Sequence, residues 1–275
     1  MDMATAREDG RSERPLAVVT GGSGGIGAVI ASRLADAGYD VVVVSRRSPP
    51  ALVREGVSHM PCDLTDTAQI VSAAEQLVAA GKNVNVLIHC AGVITPAAVD
   101  ALRQDDVERQ VSVNLVAPIL LTSRLMASIP CGGHVVFINS MAAVMPLAGS
   151  AVYAATKAGL RSFALSLSLE ARRRKIAVSS IFPGAVDTTM LRDEMAGGGS
   201  VLNYVSAPAR PEEIAATVME TLRRPGGERF RPALDGLFGK LCMLAPGLLR
   251  LSLPLLTYLG GRGVRRSCPT ARAPR

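Results

Sequence analysis

The sequence contains no tryptophan, and aromatic residues make up only 3% of its 275 residues. Because proteins that bind single-stranded nucleic acids stack bases on aromatic rings, this composition argues against a nucleic-acid partner. Only three histidines and five cysteines are present, and neither set has the spacing of metal ligands. An odd number of scattered cysteines also argues against a disulfide framework. We therefore expect no metal site.

Acidic residues are outnumbered, and the net charge is +7. Much of the excess lies in 262–275 and in the run 172–175, which we interpret as a solvated tail and a helix C-terminus favoured by the helix dipole. The first 14 residues are polar and charged and have no apolar core of a signal peptide. The expected location is therefore the cytoplasm.

Hydrophobic residues make up 48% of the chain, which is enough for one large α/β domain. Short apolar runs predict strands at 16–20, 41–44, 57–62, 84–89, 135–139 and 176–182. Between them, helical patterns cover 25–37, 67–80, 105–128 and 152–174. Continuously apolar strands that alternate with helices predict a Rossmann-type, doubly wound parallel sheet with helices on both faces.

Changes in composition along the chain predict how it is divided into segments. Residues 1–14 form a flexible leader, and 15–233 form a dinucleotide-binding catalytic domain. Within that domain, 188–210 has few periodic apolar residues and contains three consecutive glycines, so we expect a mobile loop that acts as a lid. An apolar, amphipathic extension follows at 234–261, and 262–275 is a basic tail.

A glycine-rich turn follows the first predicted strand and opens the first predicted helix. Glycines there allow backbone amides and the helix N-terminus to approach a pyrophosphate. The residues of this turn that we expect to contact a dinucleotide are Gly21, Ser23, Gly24, Gly25, Ile26 and Gly27.

The end of the second strand indicates which dinucleotide is bound. An NAD site usually places an acid there, whereas an NADP site places arginine near the 2′-phosphate. This chain has Ser45, Arg46 and Arg47 and no acid. Since a guanidinium suits the geometry of a phosphate, the expected cofactor is NADP(H), with Arg46 on the phosphate and Arg47 stacked on the adenine or facing water.

Tyr153 and Lys157 are four residues apart and lie on one face of a predicted helix. A free tyrosine has a pKa of about 10, and a neighbouring cation favours its phenolate. The pair therefore predicts acid–base chemistry at the phenol.

Further motifs accompany this pair in order along the chain: Asp63-Leu64, Cys90-Ala91-Gly92, Asn114, Ser140, and a run from Pro183 to Thr188. Together with the glycine turn, they resemble the short-chain dehydrogenase/reductase family over about residues 15 to 225. The resemblance implies an oxidoreductase (EC 1.1.1.-) that moves hydride between a nicotinamide and a carbonyl or alcohol carbon.

The resemblance also implies the roles of individual residues. Tyr153 exchanges a proton with the substrate oxygen, Ser140 hydrogen-bonds that oxygen, and Lys157 lowers the tyrosine pKa and holds the nicotinamide ribose. Asn114 fixes a water that relays protons to solvent. The remaining implied cofactor contacts are Asp63, Leu64, Cys90, Ala91, Gly92, Pro183, Gly184, Val186 and Thr188. Family members are commonly dimers or tetramers through the helices that hold Asn114 and Tyr153, so we expect a homo-oligomer.

The sequence differs from the usual family pattern in three places. His89 and Cys90 stand where asparagines are common, and we interpret His89 as structural. Gly24 stands where many NADP-preferring relatives have a basic residue, which leaves phosphate recognition to the two arginines. The glycine-rich last strand of the main branch is not recognisable, so we expect it to be missing.

The extension 234–261 is apolar enough to raise the question of a membrane span. Lys240, Arg250 and two prolines argue against a span, so we predict two short amphipathic helices broken at Pro246 and Pro254. Three uses remain open: a wall of an apolar substrate pocket, a subunit interface, or peripheral contact with a membrane surface.

The combined expectation is an NADP(H)-dependent ketoreductase, or the reverse alcohol dehydrogenase, for a fairly apolar small molecule. One rival is an epimerase or dehydratase that retains its cofactor. Another is a non-catalytic binding protein that senses NADP(H).

Overall fold

The computed structural model of the protein describes residues 14–48, 55–145 and 148–267. Most of the predicted leader and the last eight residues of the predicted basic tail lie outside the described residues.

Seven parallel strands form one sheet in the order β3-β2-β1-β4-β5-β6-β7. The strands are β1 (Leu16–Thr20), β2 (Asp40–Ser45), β3 (Val57–Pro61), β4 (Val84–His89), β5 (His134–Ile138), β6 (Ala177–Pro183) and β7 (Glu228–Arg231). The helices are α1 (Gly25–Asp36), α2 (Thr67–Ala79), α3 (Gln104–Val111), α4 (Ala117–Leu125), α5 (Ala151–Ala171), α6 (Thr189–Ala196), α7 (Pro211–Arg223), α8 (Ala233–Leu244) and α9 (Pro246–Ser267). The predicted Rossmann-type fold is confirmed.

The sheet is covered on both faces because its central strands are apolar on both faces. All five residues of β1 and of β5 are buried. On one face, a core cluster joins the strands to α1 and α7 through Ile30 and Ile214. On the other face, a second cluster joins them to α2, α4 and α5 through side chains such as Ile70 and Leu160. The result is a three-layer arrangement of helices, sheet and helices.

The sheet winds in opposite directions on either side of β1 and β4, since β2 follows β1 on one side and β5 follows β4 on the other. The connections after these two strands therefore diverge and leave a crevice at their carboxyl ends. Thr20 ties the two strand ends together, because its Oγ1 accepts hydrogen bonds from the amides of Cys90 (3.1 Å) and Ala91 (3.2 Å).

Helical structure from Gln104 to Ser128 is continuous, and within the described residues only this stretch is long and apolar enough to cross a membrane. It packs against α2 and α5. We interpret it as a core helix of the domain.

Residues 188–210 are more ordered than predicted. Thr188 accepts a hydrogen bond from the amide of Leu191 and so caps α6, and a short 3₁₀ helix spans Val201–Tyr204. The segment is therefore helical in part rather than one continuous loop, and its predicted role as a lid stays a prediction.

Two predictions for the C-terminal part also need correction. A seventh strand is present, since β7 pairs in parallel with β6 along Glu228–Arg231. The extension does form two helices, and the first ends before Pro246, but Pro254 lies inside α9 rather than breaking it. Pro254 is exposed, so water can bond the carbonyl oxygen that it leaves without an intrahelical partner.

Two histidines are buried in the sheet in their neutral form. His89 bonds Thr122 at 2.8 Å and stacks on Phe137, and His134 bonds Ser179 at 2.9 Å. Burial lowers the pKa of His89 to about 3 and that of His134 to about 4. These contacts support the structural interpretation of His89.

We expect these histidines to make the fold sensitive to acid. Between the lowered pKa and the ordinary value of 6.5, the unfolded chain binds a proton that the folded protein does not, so stability falls as the pH falls. His134→Gln should reduce the pH dependence of the unfolding free energy by about 1.4 kcal/mol per pH unit over that range. Urea unfolding at a series of pH values measures it, and equal slopes for the two proteins would contradict the prediction.

Candidate active site

A cavity of about 520 Å³ occupies the crevice at the carboxyl ends of β1, β2 and β4. Most of the predicted cofactor residues line it. They are Gly21, Ser23, Gly24, Gly25, Ile26, Gly27, Ser45, Arg46, Arg47, Asp63, Leu64, Cys90, Ala91, Gly92 and Thr188. The size and position of the cavity suit a dinucleotide.

The N-terminus of α1 points its free amides at this cavity without a competing side chain. The residue that precedes the helix, Gly24, has no side chain to cap it, and the first turn of the helix contains no acidic residue. By contrast, α2 is capped by the carboxylate of Asp66, which accepts hydrogen bonds from the amides of Ala68 and Gln69. The uncapped, acid-free start of α1 is the arrangement that binds the phosphates of a nucleotide.

Two glycines of the turn are required by close packing of the backbone. A Cβ on Gly21, where φ is +71°, would lie 2.6 Å from the Cα of Ala91. A Cβ on Gly27 would lie 2.4 Å from the carbonyl oxygen of Gly21. Neither contact is tolerable for a carbon atom, so glycine alone permits this turn to pass between α1 and the end of β4. At Gly24, in contrast, a Cβ would meet open space.

The end of β2 presents two exposed guanidinium side chains, those of Arg46 and Arg47. The hydroxyl of Ser45 donates to the carbonyl of Arg47 at 2.9 Å and so fixes the local turn. Asp63, after β3, accepts two hydrogen bonds from Thr65 through one carboxylate oxygen. The two arginines thus place positive charge at the edge of the cavity.

A second cavity of about 320 Å³ adjoins the first, and Ile26, Cys90 and Gly92 line both. It contains the side chains of three predicted catalytic residues, Ser140, Tyr153 and Lys157. The predicted nicotinamide contacts Pro183, Gly184 and Val186 line it as well. The two cavities therefore form one cleft, with the nucleotide residues at one end and the catalytic residues at the other.

Ser140 lies directly after β5, where the backbone leaves the sheet. Its hydroxyl accepts a hydrogen bond from the amide of Ala142 at 3.1 Å and is also hydrogen-bonded to the phenol of Tyr153. Asn139 holds the serine backbone in place, since its Oδ1 accepts from the Ser140 amide at 3.0 Å. The two hydroxyls thus converge on one point in the cavity.

The phenol of Tyr153 is a weaker acid than a free tyrosine. Desolvation raises its pKa to about 12, the hydrogen bond from Ser140 opposes this shift, and the carboxylate of Glu194 adds to it. Lys157 is not among the groups that shift this pKa, so its predicted effect on the tyrosine stays a prediction. The phenol is fully protonated at neutral pH, which suits it to donate a proton.

Lys157 is buried beneath the phenol rather than paired with it. Its ammonium donates to the carbonyl of Ile138 at 3.0 Å and lies 5.8 Å from the centre of the Tyr153 ring. Burial lowers the lysine pKa to about 8. A buried amine with this pKa can both carry a charge and release a proton near neutral pH.

Asn114 is the one predicted catalytic residue that does not line the cavity. It lies fully buried in a π-helical turn, Ser112–Val116, between α3 and α4. Its side-chain amide accepts from the Val93 amide and donates to the Val93 carbonyl, both at 2.8 Å, and it also donates to Thr156 at 3.2 Å. Its side chain therefore joins the loop after β4 to α5, and so positions Gly92 beside Lys157.

The cavity has a wall that the family pattern did not indicate. Phe238 of α8 and Leu256 of α9 line it together with two carboxyl groups, those of Glu194 and Asp235. Asn203 donates to Glu194 at 2.7 Å. Burial raises the pKa of both acids. The sequence left three uses of the extension open, and the structure shows one of them: the extension forms part of the wall of a pocket.

This fold, with a nucleotide cleft that opens into a cavity holding a phenol, belongs to an oxidoreductase. The sequence model of the short chain dehydrogenase family matches residues 15–197, and the chain belongs to that family. The family uses nicotinamide cofactors and acts on small molecules. The match ends before α7, α8 and α9.

Similar proteins agree with this assignment. The chain is 30% identical over 216 residues to carbonyl reductase family member 4 of Xenopus laevis. This match covers 76% of this chain and 92% of the relative. It is 31% identical over 183 residues to a 3-oxoacyl-(acyl-carrier-protein) reductase of Mus musculus, and that match covers 64% of this chain and 78% of the relative. A solved short chain dehydrogenase of Burkholderia cenocepacia in complex with NADP has a TM-score of 0.71 and 27% identity, and covers 78% of this chain and 95% of that chain.

The close packing at Gly27 predicts a specific loss of nucleotide binding. Alanine is favoured over glycine inside a helix, so Gly27→Ala should weaken binding only through its clash with the Gly21 carbonyl. We expect the nucleotide dissociation constant, measured by nicotinamide fluorescence, to rise at least about tenfold, which is ~1.4 kcal/mol. Gly24→Ala, which enters open space, is the matched control, and equal affinities of the two variants would refute the packing argument.

Proposed function

We propose that this protein is an NADP(H)-dependent reductase of ketones or aldehydes with an apolar body. The observation that carries the proposal is the hydrogen-bonded pair of Ser140 and Tyr153, which faces a mainly apolar cavity at the end of the nucleotide cleft. Two converging hydroxyls are suited to bind one carbonyl oxygen and to stabilise the charge that develops on it.

The preference for NADP(H) is supported by the charges at the end of β2. Arg46 and Arg47 are exposed at the cavity edge, and the position that carries an acid in NAD sites carries none. The solved relative from Burkholderia cenocepacia binds NADP. In this chain the arginines act without a basic residue in the glycine turn, where Gly24 stands.

Proton transfer in the proposed reaction starts at Tyr153. A nicotinamide held in the cleft would supply hydride for the carbonyl carbon. The phenol of Tyr153 donates its proton to the carbonyl oxygen. Because the pKa of the phenol is raised to about 12, Tyr153 holds this proton throughout the neutral range and is in the form that reduction requires. Ser140 hydrogen-bonds the same oxygen and orients it.

Lys157 and Asn114 support this step from behind the cavity. With a pKa of about 8, the lysine can return a proton towards the phenol, and we propose that its ammonium also holds the nicotinamide ribose. Asn114 fixes the loop that carries Gly92 and, with Thr156, the backbone of α5 at Tyr153. The proton relay through a water at Asn114 remains part of the proposal.

The substrate class follows from the cavity lining. Phe238, Leu256 and Met141 supply apolar surface, and residues of α6 and of the 3₁₀ helix Val201–Tyr204 also line the cavity. We propose that this segment, 188–210, closes over the substrate and excludes water. Both named relatives are reductases, of carbonyl compounds and of 3-oxoacyl groups, which supports a ketone substrate here.

A homodimer or homotetramer is part of the proposal. Leu165 and Leu169 are exposed one turn apart on α5, the helix that also carries Tyr153. An apolar pair at this position supports a subunit contact through α5.

One assay distinguishes the proposed reductase from the two alternative functions. An epimerase or dehydratase recycles its cofactor, and a binding protein does not turn over. Stoichiometric consumption of NADPH with formation of an alcohol supports the reductase. A product formed without net NADPH consumption would favour the first rival, and binding without any product would favour the second.

Tyr153→Phe tests the proton donor, because it removes the hydroxyl and keeps the ring. We expect kcat for carbonyl reduction to fall by at least about 10²-fold, since general acid catalysis contributes that much. NADPH affinity, measured by fluorescence, should change little. A variant that turns over at near the wild-type rate would remove Tyr153 from the mechanism.

A further inference from the structure

Large hydrophobic side chains are exposed in unusual number on the two C-terminal helices. Six such residues are scattered over the rest of the described chain, whereas nine lie on α8 and α9 within the 26 residues from 234 to 259: Leu234, Leu237, Leu241, Met243, Leu244, Leu251, Leu255, Tyr258 and Leu259. Scattered exposed leucines are ordinary, but a concentration of this kind marks an interaction surface.

On α8, the exposed leucines form one stripe. Leu234, Leu237, Leu241 and Leu244 are spaced by three or four residues, so they lie on the same face of the helix. The opposite face is made of small residues that fit tightly against the domain. A Cβ on Gly236 would collide with Phe230, and one on Gly239 would collide with Val144. The helix is therefore held with its leucines towards solvent.

On α9, the same division recurs. Leu251, Leu255 and Tyr258 lie on one exposed face. The other face holds Gly260 and Gly263, which pack directly on the backbone of the segment 201–204. Close backbone packing of this kind fixes the rotation of the helix, so the exposure of its apolar face is a property of the docked helix.

The charge on these helices is almost all positive. Between residues 233 and 267 there are five basic side chains, all exposed, and one acid, Asp235, which lines the active-site cavity. The basic residues are Lys240, Arg250, Arg262, Arg265 and Arg266. Three of the five follow the apolar stripe of α9 at its C-terminal end.

We propose that α8 and α9 form a docking surface for an anionic lipid membrane. Leucines that enter the headgroup boundary, with arginines beside them at lipid phosphates, are the composition that binds peripheral helices to such membranes. A second copy of the chain is the less suitable occupant. A two-fold contact through this surface would place the same basic helices against each other, with no exposed acid on them to offset the repulsion.

The docking surface and the active-site cavity share the same two helices. Phe238 and Leu256 reach the cavity from α8 and α9, whose exposed faces carry the leucine stripes. This step rests on the proposed function: a membrane-docked enzyme would take an apolar ketone directly from the lipid. Membrane binding can be measured in a protein without activity, so the docking proposal and the proposed reductase function can be tested independently.

Co-sedimentation of the full chain with vesicles tests the docking surface. We expect binding to vesicles of phosphatidylcholine with phosphatidylglycerol, and much weaker binding to phosphatidylcholine alone. The double variant L244E/L251E changes two residues that are 85% and 80% exposed, so it should fold normally and bind at least about tenfold more weakly. The double variant R265Q/R266Q should lose about fivefold per charge, and its binding should depend less on salt.

Val99→Glu is the matched control, because it places a charge at a 70% exposed apolar residue outside the docking surface, and it should bind as the wild type does. Absence of wild-type binding to either vesicle would overturn the proposal, as would equal binding to both. So would light scattering that shows L244E/L251E dissociating an oligomer, since the leucines would then form a subunit interface. Vesicle binding by a protein without reductase activity would support docking and remove only the proposed function.

Discussion

The reversal of winding between β1 and β4 is the constraint on which the site depends. Strands on either side of this point send their connections in opposite directions, and the crevice between them is closed at its base by the Thr20 hydroxyl, which binds the amides of Cys90 and Ala91. The tightness of that closure is what requires glycine at 21 and 27. The same closure leaves the free amides of α1 directed at the crevice, where a nucleotide phosphate fits.

The electrostatics of the catalytic end follow from burial rather than from pairing. Tyr153 lies among apolar side chains and beside Glu194, so its phenol keeps its proton, while Lys157 beneath it is a weakened base. A site built in this way is ready to deliver a proton to a carbonyl oxygen. Its apolar wall comes from α8 and α9, beyond the part of the chain that the family sequence model matches. The family sequence model thus covers Ser140, Tyr153 and Lys157 but not the two helices that supply this part of the cavity wall.

The core strands and the cofactor turn could be predicted because their signals are local: continuous apolar runs, and glycines between a strand and a helix. The errors arose where tertiary contacts decide the structure. β7 has a mostly charged sequence over Glu228–Arg231, which gives no apolar strand signal, and it pairs with the edge of β6. Pro254 remains within α9, whose Gly260 and Gly263 pack on the backbone of 201–204. The spacing of Tyr153 and Lys157 reports the nearby cation but not the desolvation that raises the pKa of the phenol.

The central claim is that this cleft binds NADPH in preference to NADH and presents it to a carbonyl group. Fluorescence titration of the wild type and of Arg46→Ala with each nucleotide tests it most directly. The account predicts tighter binding of NADPH by the wild type, and a loss in Arg46→Ala of about tenfold or more that is confined to NADPH, because a guanidinium bonds the 2′-phosphate and NADH has none. Equal affinities for the two nucleotides, or no binding of either, would contradict it.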